Sequence, residues 1–309
     1  MDALTGMLTL ARVQGSLFCR AELTEPWAVR ADAQPNAIFH VIVRGSGWVV
    51  VGSEAPIPYR SGDLVLLPRG DAHVMTGSPD AHPIDIATLP REGGADGLPC
   101  LRHGGDGATT SILCGTFDLA PEGREALLAP LPALIHVRTG DGPTAGWLDG
   151  TLRLLADEIT TERPGGPLLL SRLADVLLIQ VLRAWIEQER PRSPGWPAGL
   201  TDPRLARTLD SLHRTPEHAW TADELARTAA MSRSVFYERF SEVLGETPSG
   251  YLARWRMTVA RDALRSGATH AEIAAQVGYG SEAAFSRAFK RTVGQSPSAW
   301  REAAASAGD

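Results

Sequence analysis

The chain has 309 residues, 43% hydrophobic and 21% charged, which suits two ordinary globular domains. Its start, Met1-Asp2-Ala3, has an acid where a secretory signal carries basic residues. Its most apolar stretch, Leu168 to Ile186, is broken by Arg172, Asp175, Gln180 and Arg183. The expected location is therefore the cytoplasm, with no membrane partner. Cys19, Cys100 and Cys114 are an odd number in a chain too large to need stapling, so a disulfide framework is not expected.

The net charge of −6 is unevenly spread. Arg204 to Arg301 holds 14 Lys and Arg against 10 Asp and Glu, a net of +4, while Met1 to Pro203 holds 16 against 24, a net of −8. A basic C-terminal part on an acidic protein points to a nucleic-acid partner for that part.

Up to about Leu119 the chain reads as short strands. Ser16 to Leu23, Ala37 to Val43, Trp48 to Val51, Leu64 to Leu67, His73 to Thr76 and Thr110 to Leu119 are apolar or alternating, with Gly, Pro and Asp between them. Such a series suggests a sandwich or small barrel. Arg91 to Gly107 holds six glycines and reads as a loop. From Pro121 the period becomes helical, over Trp147 to Glu162 and Leu168 to Glu189. In the second helix an apolar stripe runs from Leu170 to Trp185. It packs on its own domain, or part of it forms a dimer interface. Pro191 to Gly199 has three prolines and two glycines in nine residues and reads as a linker. The expected division is 1–190 for a sensor domain with a helical dimerisation segment from about 121, 191–203 for the linker and 204–303 for a helical domain.

Beyond the linker one pattern occurs twice. The first copy runs Glu224-Leu225-Ala226, then Met231-Ser232, Phe236, Phe240, Gly245, Pro248 and Tyr251; the second runs Glu272-Ile273-Ala274, then Tyr279, Ser281, Phe285, Phe289, Gly294, Pro297 and Trp300. The offset is 48 residues early and 49 later, so one residue is inserted near Gly280. Each copy predicts a short helix, a tight turn with Ser232 or Ser281 as N-cap, and a second helix anchored by two phenylalanines four apart. The other face of that helix is polar. This is the helix-turn-helix layout, whose second helix enters the major groove of double-stranded DNA. Ser249 to Arg265 predicts a rod joining the copies, about 25 Å long at roughly 1.5 Å per residue. It would present two reading helices to successive grooves, roughly 34 Å apart.

Gly278-Tyr279-x-Ser281-x3-Phe285-x-Arg287-x-Phe289-Lys290-x3-Gly294-x-Ser296-Pro297-x2-Trp300-Arg301 resembles the signature of the AraC-type transcription regulators. The resemblance covers the last hundred residues or so. It implies a seven-helix DNA-binding domain, usually acting as an activator by contact with RNA polymerase. The expected fold is two-domain α+β: an N-terminal cupin-like β-barrel with a helical dimerisation segment, giving a homodimer, and an all-α double helix-turn-helix domain.

Arg287 is the expected base reader, because arginine bonds bidentately to guanine. Glu282 either accepts from cytosine or favours the helix N-terminus. Ser281 and Ser286 lie on the same face. In the first copy the candidates are Arg233, Ser234, Tyr237 and Glu238, the last matching Arg287 in position. Arg256, Lys290 and Arg291 are expected to contact phosphates.

In the sensor, Gly62-x5-Pro68-x-Gly70-x2-His73 resembles the second motif of the cupin fold, while only His40 remains of the first motif's ligands. His40 and His73, with Cys19 and Cys114, are candidate ligands for zinc or another divalent metal. Cys19 and Cys114 are also a candidate redox pair, since AraC-type relatives with this cupin variant include regulators that respond to oxidants. A small apolar effector in the barrel is the third reading. The rival to a regulator is a cupin metalloenzyme with a non-catalytic helical appendage; the thin metal motif and the duplicated reading head argue against it.

Overall fold

Among the described residues twelve strands form in the first half of the chain, mostly where alternating apolar residues give a strand one face to bury. They are Gln14–Thr24 (β1), Ala28–Ala31 (β2), Ala37–Arg44 (β3), Ser46–Val51 (β4), Ile57–Arg60 (β5), Leu64–Leu67 (β6), His73–Thr76 (β7), Ile84–Asp85 (β8), Arg91–Gly93 (β9), Pro99–Gly104 (β10), Thr109–Asp118 (β11) and Ile135–Val137 (β12). The helices are Ala3–Ala11 (α1), Pro121–Leu128 (α2), Ala145–Thr160 (α3), Gly166–Glu189 (α4), Trp196–Thr201 (α5), Pro203–Arg214 (α6), Ala222–Thr228 (α7), Arg233–Leu244 (α8), Pro248–Arg265 (α9), His270–Gln276 (α10), Glu282–Val293 (α11) and Pro297–Ser306 (α12). This is a computed structural model that describes residues 2–78, 80–93, 98–138, 145–161, 163–191 and 193–306. Among them, no helix is long and apolar enough to cross a membrane.

One unit comprises Val13–Leu119 and Leu131–Arg190. Its larger sheet has the order β12-β6-β3-β11-β1-β10-β9 and its smaller sheet the order β5-β4-β7-β2-β8. Their inner faces share a core that includes Cys19, Leu23, Ile42, Val49, Tyr59, Val65, Met75, Leu101, Ile112 and Cys114. The six expected strands all form. The glycine-rich stretch from Arg91 is a correction: it contains β9 and β10, and β10 pairs in parallel with β1. A partner about eighty residues away in sequence leaves no local trace. The α4 stripe packs within this unit. Ser171 donates to the Gly15 carbonyl at 2.9 Å, and the Gly15 amide donates to Asp175 at 2.6 Å.

The other unit comprises Met1–Arg12, Ala120–Pro130 and Pro191–Asp309. By contacts, α1 and α2 group with the C-terminal helices. The expected linker is not loose. Pro197 and Pro203 occupy first-turn positions of α5 and α6, where a missing N–H costs nothing. Trp196 is buried, and its Nε1 donates to the Leu127 carbonyl at 3.0 Å. Arg192 lies outside the described residues.

Two phenylalanine-centred cores follow. Phe236 and Phe240 pack with Leu205, Leu209, Leu225, Tyr251 and Leu252; Phe285 and Phe289 pack with Met257, Ala260, Leu264 and Ile273. The first half of α9 therefore serves one core and its second half the other. Truncating any of these phenylalanines to alanine should cost about 3–5 kcal/mol.

His213 is buried in α6, with its ring stacked 3.7 Å from Trp255 and its Nε2 2.7 Å from the Tyr251 hydroxyl. Burial pushes its pKa down to about 3. Unfolded, it would titrate near its ordinary value, so the unfolded chain binds the extra proton between these limits. This contribution to stability is complete above about pH 6.5 and declines as pH falls below it. Thermal unfolding at pH 7 and pH 5 should show the loss, and His213→Gln should reduce that pH dependence.

Candidate nucleic-acid interface

Each reading helix is delivered by the same local devices. Thr221 caps α7 and Thr269 caps α10, each accepting from the backbone N–H of a glutamate three residues on. Those glutamates, Glu224 and Glu272, accept in return from the cap's own N–H at 2.8 Å. Both carboxyls are held below the usual range, chiefly by the threonine backbone N–H. Thr-x-x-Glu was in the sequence and signals a helix start. The helices end through matching six-to-one bonds, Met231 N–H to the Ala226 carbonyl at 2.9 Å and Tyr279 N–H to the Ala274 carbonyl at 2.8 Å. The left-handed turn residue is Gly278 at φ +75° in the second copy and Ala230 at φ +52° in the first. At 278 a Cβ would also lie 2.3 Å from the Glu217 carbonyl oxygen, so glycine suits both the angle and the space.

The second helix of each pair turns its phenylalanines inward and leaves an exposed polar face. On α8, Arg233, Ser234, Tyr237 and Glu238 are exposed, as expected. On α11, Glu282, Arg287, Lys290 and Arg291 are exposed, Ser286 is half-buried, and Ser281 caps the helix by accepting from the Ala284 N–H at 3.2 Å. Sequence reading passed over Val235, which is 52% exposed beside Ser234. Apolar residues within an amphipathic pattern carry no signal of their own, and only the solved surface singles this one out.

Arg256 has a structural role in addition. Its Nε donates to the Pro216 carbonyl at 2.6 Å and its Nη2 to the His218 carbonyl at 2.9 Å, while its guanidinium lies 5.6 Å from the centre of the Tyr279 ring. Burial holds its pKa down. This half-buried guanidinium ties the loop after α6 to the second turn.

The matched surfaces differ in charge. Under the 49-residue offset, Glu238, Ser241 and Glu242 on α8 stand where α11 carries Arg287, Lys290 and Arg291. Glu242 is further engaged by Arg239 at 3.1 Å. Counting Arg233 and Arg239 as well, the charges of α8 sum to zero and those of α11, with Glu282, to +2, so α11 is the more basic of the two.

In the cupin-like unit the candidate residues do meet. Cys114 on β11 is the register partner of both His40 on β3 and Cys19 on β1. His40 Nε2 lies 2.9 Å from His73 Nε2, and His40 Nδ1 lies 3.2 Å from Cys114 Sγ. His73 Nδ1 is 3.0 Å from the Asp71 carbonyl, which can only accept, so that nitrogen carries the proton. The remaining bonds then run one way: Cys114 S–H to His40, and His40 Nε2–H to His73. Burial lowers the pKa of both histidines and keeps them neutral. In this arrangement the ring nitrogens and the thiol are engaged with one another. Among the described residues no group of three or more His, Cys, Asp or Glu is arranged to hold a metal ion. Cys100 is buried on β10.

The comparisons with known proteins agree with both halves of this geometry. The family described as cupin matches residues 2–187, and that described as helix-turn-helix domain matches residues 225–303. The chain is 36% identical over 304 residues to an AraC-like transcription regulator of Streptomyces lividans, covering 98% of each chain. The chain belongs to the AraC-type transcription regulators. An AraC-like regulator of Streptomyces antibioticus is 37% identical, covering 98% of this chain and 99% of that one, and the regulator AlkR of Acinetobacter baylyi is 32% identical with the same coverage. As an AraC-type protein it binds DNA to regulate transcription and is not an enzyme, which removes the metalloenzyme alternative.

All three cysteines of this regulator are buried. Burial raises the Cys19 and Cys114 thiols, so they are protonated at neutral pH and are weak nucleophiles. A bulky aromatic disulfide reagent should leave all three unreacted in the native protein at pH 7 and titrate them in denaturant. Rapid native reaction of even one would show that the barrel opens.

Proposed function

We propose that this AraC-type protein acts in the cytoplasm as a homodimeric, sequence-specific activator. In this reading α8 and α11 occupy successive major grooves, Arg287 reads a guanine, and Lys290 and Arg291 hold phosphates. The observation that carries it is the duplicated helix pair, opened in both copies by the same threonine–glutamate cap, with a polar outer face on each reading helix. Val235 adds an apolar contact suited to a thymine methyl group. Contact with RNA polymerase follows the family resemblance. In fluorescence anisotropy against the protein's own upstream DNA, Arg287→Ala should cost about 1–3 kcal/mol and relax the preference at one base pair. Lys290→Ala should weaken all sequences alike and lower the salt slope by about 1. No salt-dependent binding to any upstream fragment would overturn the reading.

The homodimer is supported by exposed apolar side chains on the sensor's two helices. Trp147 and Leu154 stand seven apart on α3 at 75% and 58% exposure, and Leu169 and Val176 stand seven apart on α4 at 45% and 42%. Seven residues are about two helical turns, so each pair marks a stripe fit for a helical partner. Leu169→Asp with Val176→Asp should convert a dimer to a monomer in sedimentation; a wild-type monomer at micromolar concentration would refute it.

The signal we propose is an oxidant at the Cys19–Cys114 pair, on the ground that the two are cross-strand partners; since burial keeps both thiols protonated, the reaction requires an opening of the barrel that exposes one of them. Two thiols and one hypochlorous acid would give a disulfide, chloride, water and a proton. Burial restricts this to small uncharged oxidants.

A further inference from the structure

One buried carboxylate of the helical unit lies outside both helix-turn-helix copies. Glu122 is in the first turn of α2 and is 1% exposed. Its Oε1 accepts from Arg265 twice, from Nε at 2.8 Å and from Nη2 at 2.6 Å. Its Oε2 is buried with no hydrogen-bond partner among the described residues. A buried ion pair with one oxygen unsatisfied is a poor source of stability, because desolvation offsets most of its attraction. Such pairs are best attested where they fix register.

What this pair fixes can be followed from side chain to side chain. Arg265 is the last residue of α9, at the point where the chain turns into the second helix-turn-helix. Its guanidinium lies 5.8 Å from the centre of the Trp300 ring on α12. Trp300 meets Phe289 edge to face, at 6.4 Å between centroids. Phe289 is on the inner face of α11, between Arg287 and Lys290 in sequence, and it is fully buried. The carboxylate therefore reaches the back of the second reading helix in three contacts.

Neighbouring bonds hold α2 and α1 to the same end of α9. Arg261 Nη1 is 3.6 Å from Glu125, and Arg12 Nη2 is 2.8 Å from Asp262 and 3.1 Å from the Ser266 hydroxyl. The two helices touch so closely at Gly123 that a Cβ there would stand 2.3 Å from Ala11. α2 also reaches α8, through the Trp196 indole on the Leu127 carbonyl and the Gly195 amide on the Val243 carbonyl, but that route leaves from the other end of α2 and does not pass through Glu122.

We propose that Glu122 is a positioning residue for the second reading helix, acting through Arg265 and Trp300 to set how α11 is presented to DNA. This rests on the assignment of α11 as a DNA reader. It separates the two half-reads: a change at Glu122 alters recognition at the α11 subsite and spares the α8 subsite.

The test uses the full chain and a bound upstream DNA fragment, with single base-pair substitutions across the site. Arg287→Ala marks the base pairs read by α11, and Glu238→Ala marks those read by α8. Glu122→Gln should weaken binding roughly twofold to thirtyfold, the range for residues in a coupled network. It should also shrink the penalties at the α11 base pairs and leave the α8 penalties unchanged. A merely structural residue would lower the unfolding temperature and keep every penalty at its wild-type size. If Glu122→Gln does not fold, Arg265→Lys gives the same readout, since it keeps the charge and loses the planar contact with Trp300. Unchanged penalties in a folded variant overturn the proposal alone. Failure of the wild type to bind any fragment overturns the DNA-reading assignment and this proposal with it.

Discussion

The double reading head depends on one helix being shared by two cores. Tyr251, Leu252 and the first turns of α9 pack under Phe236 and Phe240, while Met257, Ala260, Ala263 and Leu264 pack under Phe285 and Phe289. Neither core can shift along α9 without losing its own packing, because interiors are close-packed and each side chain fills a fixed space. The 18 residues of α9 amount to about 27 Å at roughly 1.5 Å per residue. The separation of the reading helices is thus a property of a rigid rod and not of a flexible connection. A DNA site must bring its two subsites to that spacing, by register or by bending, and bending carries a sequence-dependent cost.

Duplication separates what packing demands from what recognition leaves free. Both copies keep the threonine cap with its glutamate, the left-handed turn residue, the phenylalanine pair, and glycine then proline after the reading helix. Each of these answers a backbone or volume constraint that is the same in both copies. The outer faces answer to no such constraint, and there the copies diverge in sign, with acids on α8 where α11 has bases. The one mismatch inside the scaffold is Ala230, which accepts a positive φ that Gly278 adopts without strain. The first turn therefore stores a small backbone cost that the second does not.

Much of this was legible in sequence, and what was missed has a physical pattern. Elements longer than six or seven residues with an internal period were readable: β1, β3, β11, α4, α9 and both reading helices. Leu64–Leu67 and His73–Thr76 were also readable as apolar runs, but other strands of four residues or fewer were not, because Ile57-Pro58-Tyr59-Arg60 or Arg91-Glu92-Gly93 holds too few residues for a period to show. Their existence is decided by partners far away in the chain. The linker was misread for a related reason. Proline and glycine mark helix starts as well as breaks, and only the buried Trp196 distinguishes the two. At the reading heads the exposed polar residues were legible, and the structural role of Arg256 was not. An arginine's role depends on whether carbonyls surround it, which no spacing reveals.

The grouping of α1 and α2 with the C-terminal helices means that the chain passes between the two units at more than one point. α1 ends two residues before β1 reaches Gln14, and α2 begins two residues after β11 ends at Asp118. Gln14 and Asp118 are register partners, so both junctions leave the same end of one antiparallel ladder. The same ladder carries Cys19 opposite Cys114 and a register shift between Leu17 and Cys19. Both junctions are thus set by the backbone of one strand pair, and a change of pairing along it bears on the two strand ends together.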